Sequence, residues 1–98
     1  MNLTLDCSGF ENELVATGEL YEGVHYRFRF QNGYGASVIK HDGSYGSDED
    51  LWELAVIKYD GESDREWGLT YDTEITDDVK GWLTNDDVLV LLNRIKAL

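Results

Sequence analysis

Val24-His25-Tyr26-Arg27-Phe28-Arg29-Phe30, then Gln31-Asn32-Gly33, then Tyr34-Gly35-Ala36-Ser37-Val38-Ile39-Lys40, is the stretch that decides the fold. Its first run alternates. Val24, Tyr26, Phe28 and Phe30 take one face, and His25, Arg27 and Arg29 take the other, the period-2 signature of a strand buried on one side. Asn32-Gly33 accepts the positive φ that a hairpin turn demands, so residues 34–40 return as the antiparallel partner. A two-residue loop would set Phe28 opposite Ser37. A three-residue loop ending in a bulge is expected to set Phe28 opposite Val38 and Phe30 opposite Ala36, and it keeps more apolar area on one face.

Downstream, His41 to Asp50 reads as a polar, glycine-containing loop. Leu51-Trp52-Glu53-Leu54-Ala55-Val56-Ile57-Lys58-Tyr59 then carries apolar residues on both faces, as a central strand covered on each side would. Asp60 to Arg65 is a turn, and Trp67-Gly68-Leu69-Thr70-Tyr71 alternates as a further antiparallel strand. Thr76 with Asp77 and Asp78 is expected to cap a short helix holding Val79, Trp82 and Leu83, weakened by Gly81. A second helix follows. Thr84 is its N-cap, Asn85, Asp86 and Asp87 lie in the first turn where the helix dipole favours acids, and Val88, Leu91, Leu92 and Ile95 form an apolar stripe of helical period.

Upstream the signals are weak. Leu3-Thr4-Leu5 suits a short strand, and Glu11 to Ala16 suits either a helical turn or a second strand. The expectation is an α+β fold: one domain over residues 1–98, its segment 1–23 unassigned, built as an antiparallel sheet of three to five strands with the C-terminal helix on one face.

The charge narrows the function. The 98 residues carry 20 acids and 8 bases, for a net charge of -12, yet 42% of them are hydrophobic, which excludes a disordered acidic tail. Residues 42–87 hold 15 acids against Lys58, Arg65 and Lys80 and so carry the whole of the imbalance. Direct binding to nucleic acid or to an anionic membrane is excluded, because both draw their affinity from clustered Lys and Arg. Met1 to Asp6 lacks the basic and apolar regions of a signal peptide, and no apolar run approaches a bilayer span. A reducing cytoplasm is the expected compartment.

Catalytic signatures are sparse. Cys7 is the only cysteine, and neither His25 nor His41 stands at a nucleophile or metal-ligand spacing. Gly33-Tyr34-Gly35 and Gly43-Ser44-Tyr45-Gly46 lack the spacing of phosphate-cradling loops. Asp60, Glu62, Asp64 and Glu66 alternate like the start of a calcium loop, but no essential glycine and no closing bidentate glutamate follow. No cofactor and no metal is expected, and the chain reads as a non-enzyme. Surface recognition remains. Carboxylates set along a rigid sheet can imitate the phosphate row of DNA and engage the basic groove of a protein that handles nucleic acid. The residues expected to do so are Asp48, Glu49, Asp50, Glu62, Asp64 and Glu66, with Tyr45 as an aromatic anchor.

Residues 26–92 also resemble a group of small acidic proteins encoded by phages and prophages. The likeness rests on Asn32-Gly33-Tyr34-Gly35-Ala36-Ser37-Val38-Ile39, Gly43-Ser44-Tyr45-Gly46, Leu51-Trp52-Glu53-Leu54-Ala55-Val56, the stretch Leu69 to Val79, and Gly81-Trp82-Leu83. The resemblance implies an accessory phage protein acting inside a bacterium and brings no catalytic residues with it. Together the two lines lead to an expected inhibitor or modulator of a bacterial host protein that processes nucleic acid or serves defence, of anti-CRISPR or DNA-mimic type. The rival expectation is a structural, self-assembling module, a homodimer joined through the exposed face of the sheet, whose acidity serves only solubility.

Overall fold

A computed structural model describes residues 3–20, 22–41, 50–70 and 80–98. They form strands β1 (Leu14–Leu20), β2 (Gly23–Arg29), β3 (Tyr34–Lys40), β4 (Trp52–Tyr59), β5 (Trp67–Leu69) and β6 (Lys80–Leu83), followed by helix α1 (Asn85–Lys96). All pairings are antiparallel, in the order β1-β2-β3-β4. The outer edge of β4 is shared: β5 pairs with its end at Ile57–Tyr59 and β6 with its beginning at Trp52–Leu54. The α+β class and the C-terminal helix on one face of an antiparallel sheet match the expectation. Among the described residues the strands number six, because residues 14–20 form one and two short ones divide the β4 edge.

The β2–β3 register departs from the one expected. Phe28 stands opposite Ala36 and Tyr26 opposite Val38. A shift of two residues leaves every side chain on its original face, so the hydrophobic pattern cannot choose between these registers. The turn chooses. Gly33, at φ 87°, donates its N–H to the Phe30 carbonyl, Phe30 donates to the Tyr34 carbonyl, and Gln31-Asn32-Gly33 is the three-residue loop. The helix expected to hold Trp82 and Leu83 is also corrected, since Lys80–Leu83 is strand β6. Gly81 is a poor helix former, and the open edge of β4 offers backbone partners that the local preference cannot match. Thr76 to Val79 lie outside the described residues.

One face of the sheet carries the core. Phe28, Ala36, Val38, Leu54 and Val56 meet Val88, Leu91, Leu92 and Ile95 of α1, the stripe expected from the sequence. The helix begins in a capping box: the Thr84 hydroxyl accepts from the Asp87 N–H at 3.1 Å, and the Asp87 carboxylate accepts from the Thr84 N–H at 3.0 Å. Beside α1, residues 3–13 close the same face without forming a strand. Leu5 and Phe10 are buried, Phe10 sets its ring edge-on to Phe30 at 6.2 Å, and Asn85 exchanges two hydrogen bonds with the Asp6 backbone. The segment that the sequence leaves unassigned is therefore part of the core.

Candidate functional site

Alternation along β2 sends Arg27 and Arg29 to the sheet face opposite α1, alongside Ser37, Ala55, Ile57 and Tyr59. The β4–β5 connection, residues 60–66, folds over this face. Its base is closed by the Tyr59–Trp67 pair and by the Asp60 N–H donating to the Glu66 carbonyl at 2.7 Å, and Gly61 supplies a positive φ of 83°. The arginines hold it from beneath. Arg29 donates to the Gly61 carbonyl, to the Glu62 carbonyl at 3.0 Å and to the Asp64 carboxylate at 3.0 Å, while Arg27 donates to the Asp64 carbonyl at 3.2 Å.

Each guanidinium also lies over an aromatic ring, Arg29 over Tyr59 at 4.7 Å and Arg27 over Trp67 at 5.2 Å. Stacking of this kind keeps a planar cation in place under the loop. The Arg27 Nε is buried and has no hydrogen-bond acceptor among the described residues. Burial pushes the Tyr59 hydroxyl up from its ordinary pKa, and this hydroxyl donates to the Phe28 carbonyl at 3.3 Å.

The consequence is a loop whose carbonyls turn inward to cations. Asp60, Glu62 and Glu66 are exposed, and their side chains form no ion pair among the described residues; Asp64 is partly neutralised by Arg29. Trp67, 37% exposed, and Leu69 border them. Arginines that the alternation marks only as the polar face of β2 are what organises the acidic loop. The available signal was two arginines spaced to share one strand face in a strongly acidic chain.

The residues expected to form the acidic surface do not all gather here. Tyr45, Asp48 and Glu49 lie outside the described residues. Asp50 precedes β4 and the 60–66 loop follows it, so eight strand residues, at about 3.3 Å each, separate Asp50 from the base of that loop by roughly 25 Å along the strand. Asp50, at φ 62°, pairs at 3.0 Å with Lys40, whose side chain is buried and whose Nζ sits 4.2 Å from the centre of the Trp52 ring. Among the aromatic residues between the acids, Trp52 and Tyr59 belong to buried parts of the sheet.

A cleft of about 430 Å³ opens where the β2–β3 turn meets the end of α1. Its charged walls are matched within the protein, with Lys96 pairing with Glu13 at 3.0 Å and Arg29 committed to the loop. Cys7 is half-buried, and desolvation, with Asp6 and Glu11 nearby, raises its thiol above the ordinary pKa, away from a nucleophile's needs. The exposed Asp6 carboxylate is lowered by the Ser8 hydroxyl and N–H. Among the described residues no three His, Cys, Asp or Glu side chains converge as a metal site, and no helix is long and apolar enough to cross a membrane.

No protein-family model, no curated protein and no solved structure matches this chain.

Proposed function

We propose that this chain is a non-enzymatic accessory protein of phage type that binds a bacterial host protein through its acidic surface. The partner is a nucleic-acid-processing or defence protein with a basic groove, inhibited in the manner of an anti-CRISPR or a DNA mimic. The observation that carries the reading is the loop at 60–66. Arg27 and Arg29 hold its backbone, which leaves the carboxylates of Asp60, Glu62 and Glu66 outward beside a partly exposed Trp67.

A charged loop that is ordered before binding loses little entropy on docking. A row of carboxylates on a braced backbone steers a basic groove at long range, and occupying that groove excludes nucleic acid from it. Trp67 supplies the aromatic contact that charge alone lacks. The test is affinity capture from a bacterial lysate with the native chain and with a Glu62→Lys, Glu66→Lys variant, at low and at high salt. A captured nucleic-acid-binding protein that is lost with the variant and at high salt is the expected result. Capture of the same proteins by both chains at both salts would sink the proposal.

A further inference from the structure

The outward side of α1 carries a row that nothing described so far uses. Asp86, Val90 and Arg94 follow one another at i, i+4 and i+8, and all three are exposed, Val90 by 60% in the middle of a twelve-residue helix. Neither the Asp86 nor the Arg94 side chain has an ion-pair partner among the described residues. Beside the row, a groove of about 260 Å³ runs between α1 and β6, with Leu83, Val90 and Leu91 in its wall and Lys80, Arg94 and Asp87 as its charged lining. Next to Leu83 stands Trp82, 57% exposed and held at φ 62°, a strained conformation for a bulky residue that buries little in return.

We propose that two copies of this chain associate in an antiparallel, two-fold manner through this face of α1. The row is self-complementary. A two-fold axis at Val90 sets Val90 on its counterpart and places Asp86 of each copy opposite Arg94 of the other, the isologous pairing that a symmetric dimer requires. Opposed helix dipoles favour the same arrangement. The net charge of -12 adds a selection rule: two such chains repel, so contact must fall where acids and bases balance, and on this face Lys80 and Arg94 offset Asp86 and Asp87. The interface is independent of the acidic-loop reading, because α1 and residues 60–66 lie on opposite faces of the sheet. A dimer joined in this way presents two acidic loops outward.

Sedimentation over a concentration series tests the proposal, with far-UV circular dichroism to show that each variant is folded. Val90→Glu and Arg94→Glu are expected to weaken self-association by about tenfold or more each, since they set an acid on an acid or a charge into an apolar centre. Asp86→Lys alone behaves likewise. Mixing the Arg94→Glu chain with the Asp86→Lys chain restores both cross-pairs, so the mixture dimerises where neither variant does. A native chain that stays monomeric at every concentration, a dimer indifferent to these changes, or a mixture that fails to associate would each overturn it.

Discussion

Arg29 and Asp64, 35 positions apart in the chain, meet at 3.0 Å on the sheet face turned away from the helix. The same guanidinium takes the carbonyls of Gly61 and Glu62, so a single side chain on β2 organises a loop that leaves β4. Because Asp64 is half exposed, water screens the ion pair; the carbonyl hydrogen bonds and the stacking on Tyr59 add to the hold on the largely covered Arg29.

Arg29→Met is therefore expected to free the loop without unfolding the sheet. Loss of its three hydrogen bonds, each small in net worth, makes local opening at least about tenfold more frequent. Arg65 lies inside the loop and reports on this directly, since trypsin cleaves after arginine once the segment can extend. Mass spectrometry should find the Arg65–Glu66 bond cut about tenfold faster in the variant, with Arg27→Met, which releases one carbonyl, showing a smaller rise. Equal cleavage rates in the native chain and Arg29→Met would mean that the loop is held some other way.

Lys40 makes a different test, because its side chain is 2% exposed while its partner Asp50 keeps access to water. The ammonium costs desolvation and regains it from Asp50 and the Trp52 ring, whereas the methylene stem fills core volume beside Trp52. Lys40→Met preserves the volume and should stay within about 1.5 kcal/mol of the native stability. Lys40→Ala leaves a cavity and should cost about 2–4 kcal/mol. Urea denaturation separates the two, and equal losses would show that charge rather than packing decides this position.

What the sequence discloses follows from which physics is local. The α1 stripe, its Thr84 cap and the alternation of β2 are set by neighbours in the chain, so they can be read directly. The three-residue loop was legible in Asn32-Gly33, and closing it over residues 31–33 fixes the β2–β3 register that the face pattern alone, blind to a two-residue slip, does not; Lys80–Leu83 was hidden because the β4 edge that recruits it is distant in sequence. The bracing of residues 60–66 by Arg27 and Arg29 spans more than 30 positions, and no pattern within the loop announces it. The alternation of Leu3-Thr4-Leu5 suggested a short strand, but residues 3–13 cover the core as irregular chain.

Two glycines that look alike in the sequence are expected to respond oppositely to alanine. A Cβ on Gly35 would strike the Phe28 carbonyl oxygen and come within 2.8 Å of the Tyr59 ring, so β2 and β3 would have to part. A Cβ on Gly68 would meet nothing within 4 Å. Gly35→Ala should cost about 3 kcal/mol or more, and Gly68→Ala should lie within about 0.5 kcal/mol of native or gain slightly from a stiffer unfolded chain. Thermal melts of the two variants decide it; a tolerated Gly35→Ala would refute the close β2–β3 approach.

Asn32 joins the hairpin turn to the end of the helix. Its Oδ1 accepts from the Tyr34 N–H at 2.9 Å, and its Nδ2 donates to the carbonyls of Ile95, Lys96 and Leu98 at 2.9, 3.3 and 3.2 Å. Asn32→Asp separates the two roles, because a carboxylate still accepts from Tyr34 but offers the helix end no donor. The new carboxylate would face three carbonyl oxygens and the negative end of the α1 dipole, so its folded-state pKa rises above the ordinary value of about 3.9. For an acid whose pKa is raised on folding, the unfolded chain releases its proton first. The penalty therefore sets in as pH climbs through the unfolded pKa, is full at neutral pH, and vanishes below it. At neutral pH the variant should be less stable by about 1 kcal/mol, and the gap from the native chain should close near pH 3. Urea melts at both pH values read this directly, and a loss of equal size at both would show that the turn, not the helix end, is what Asn32 secures.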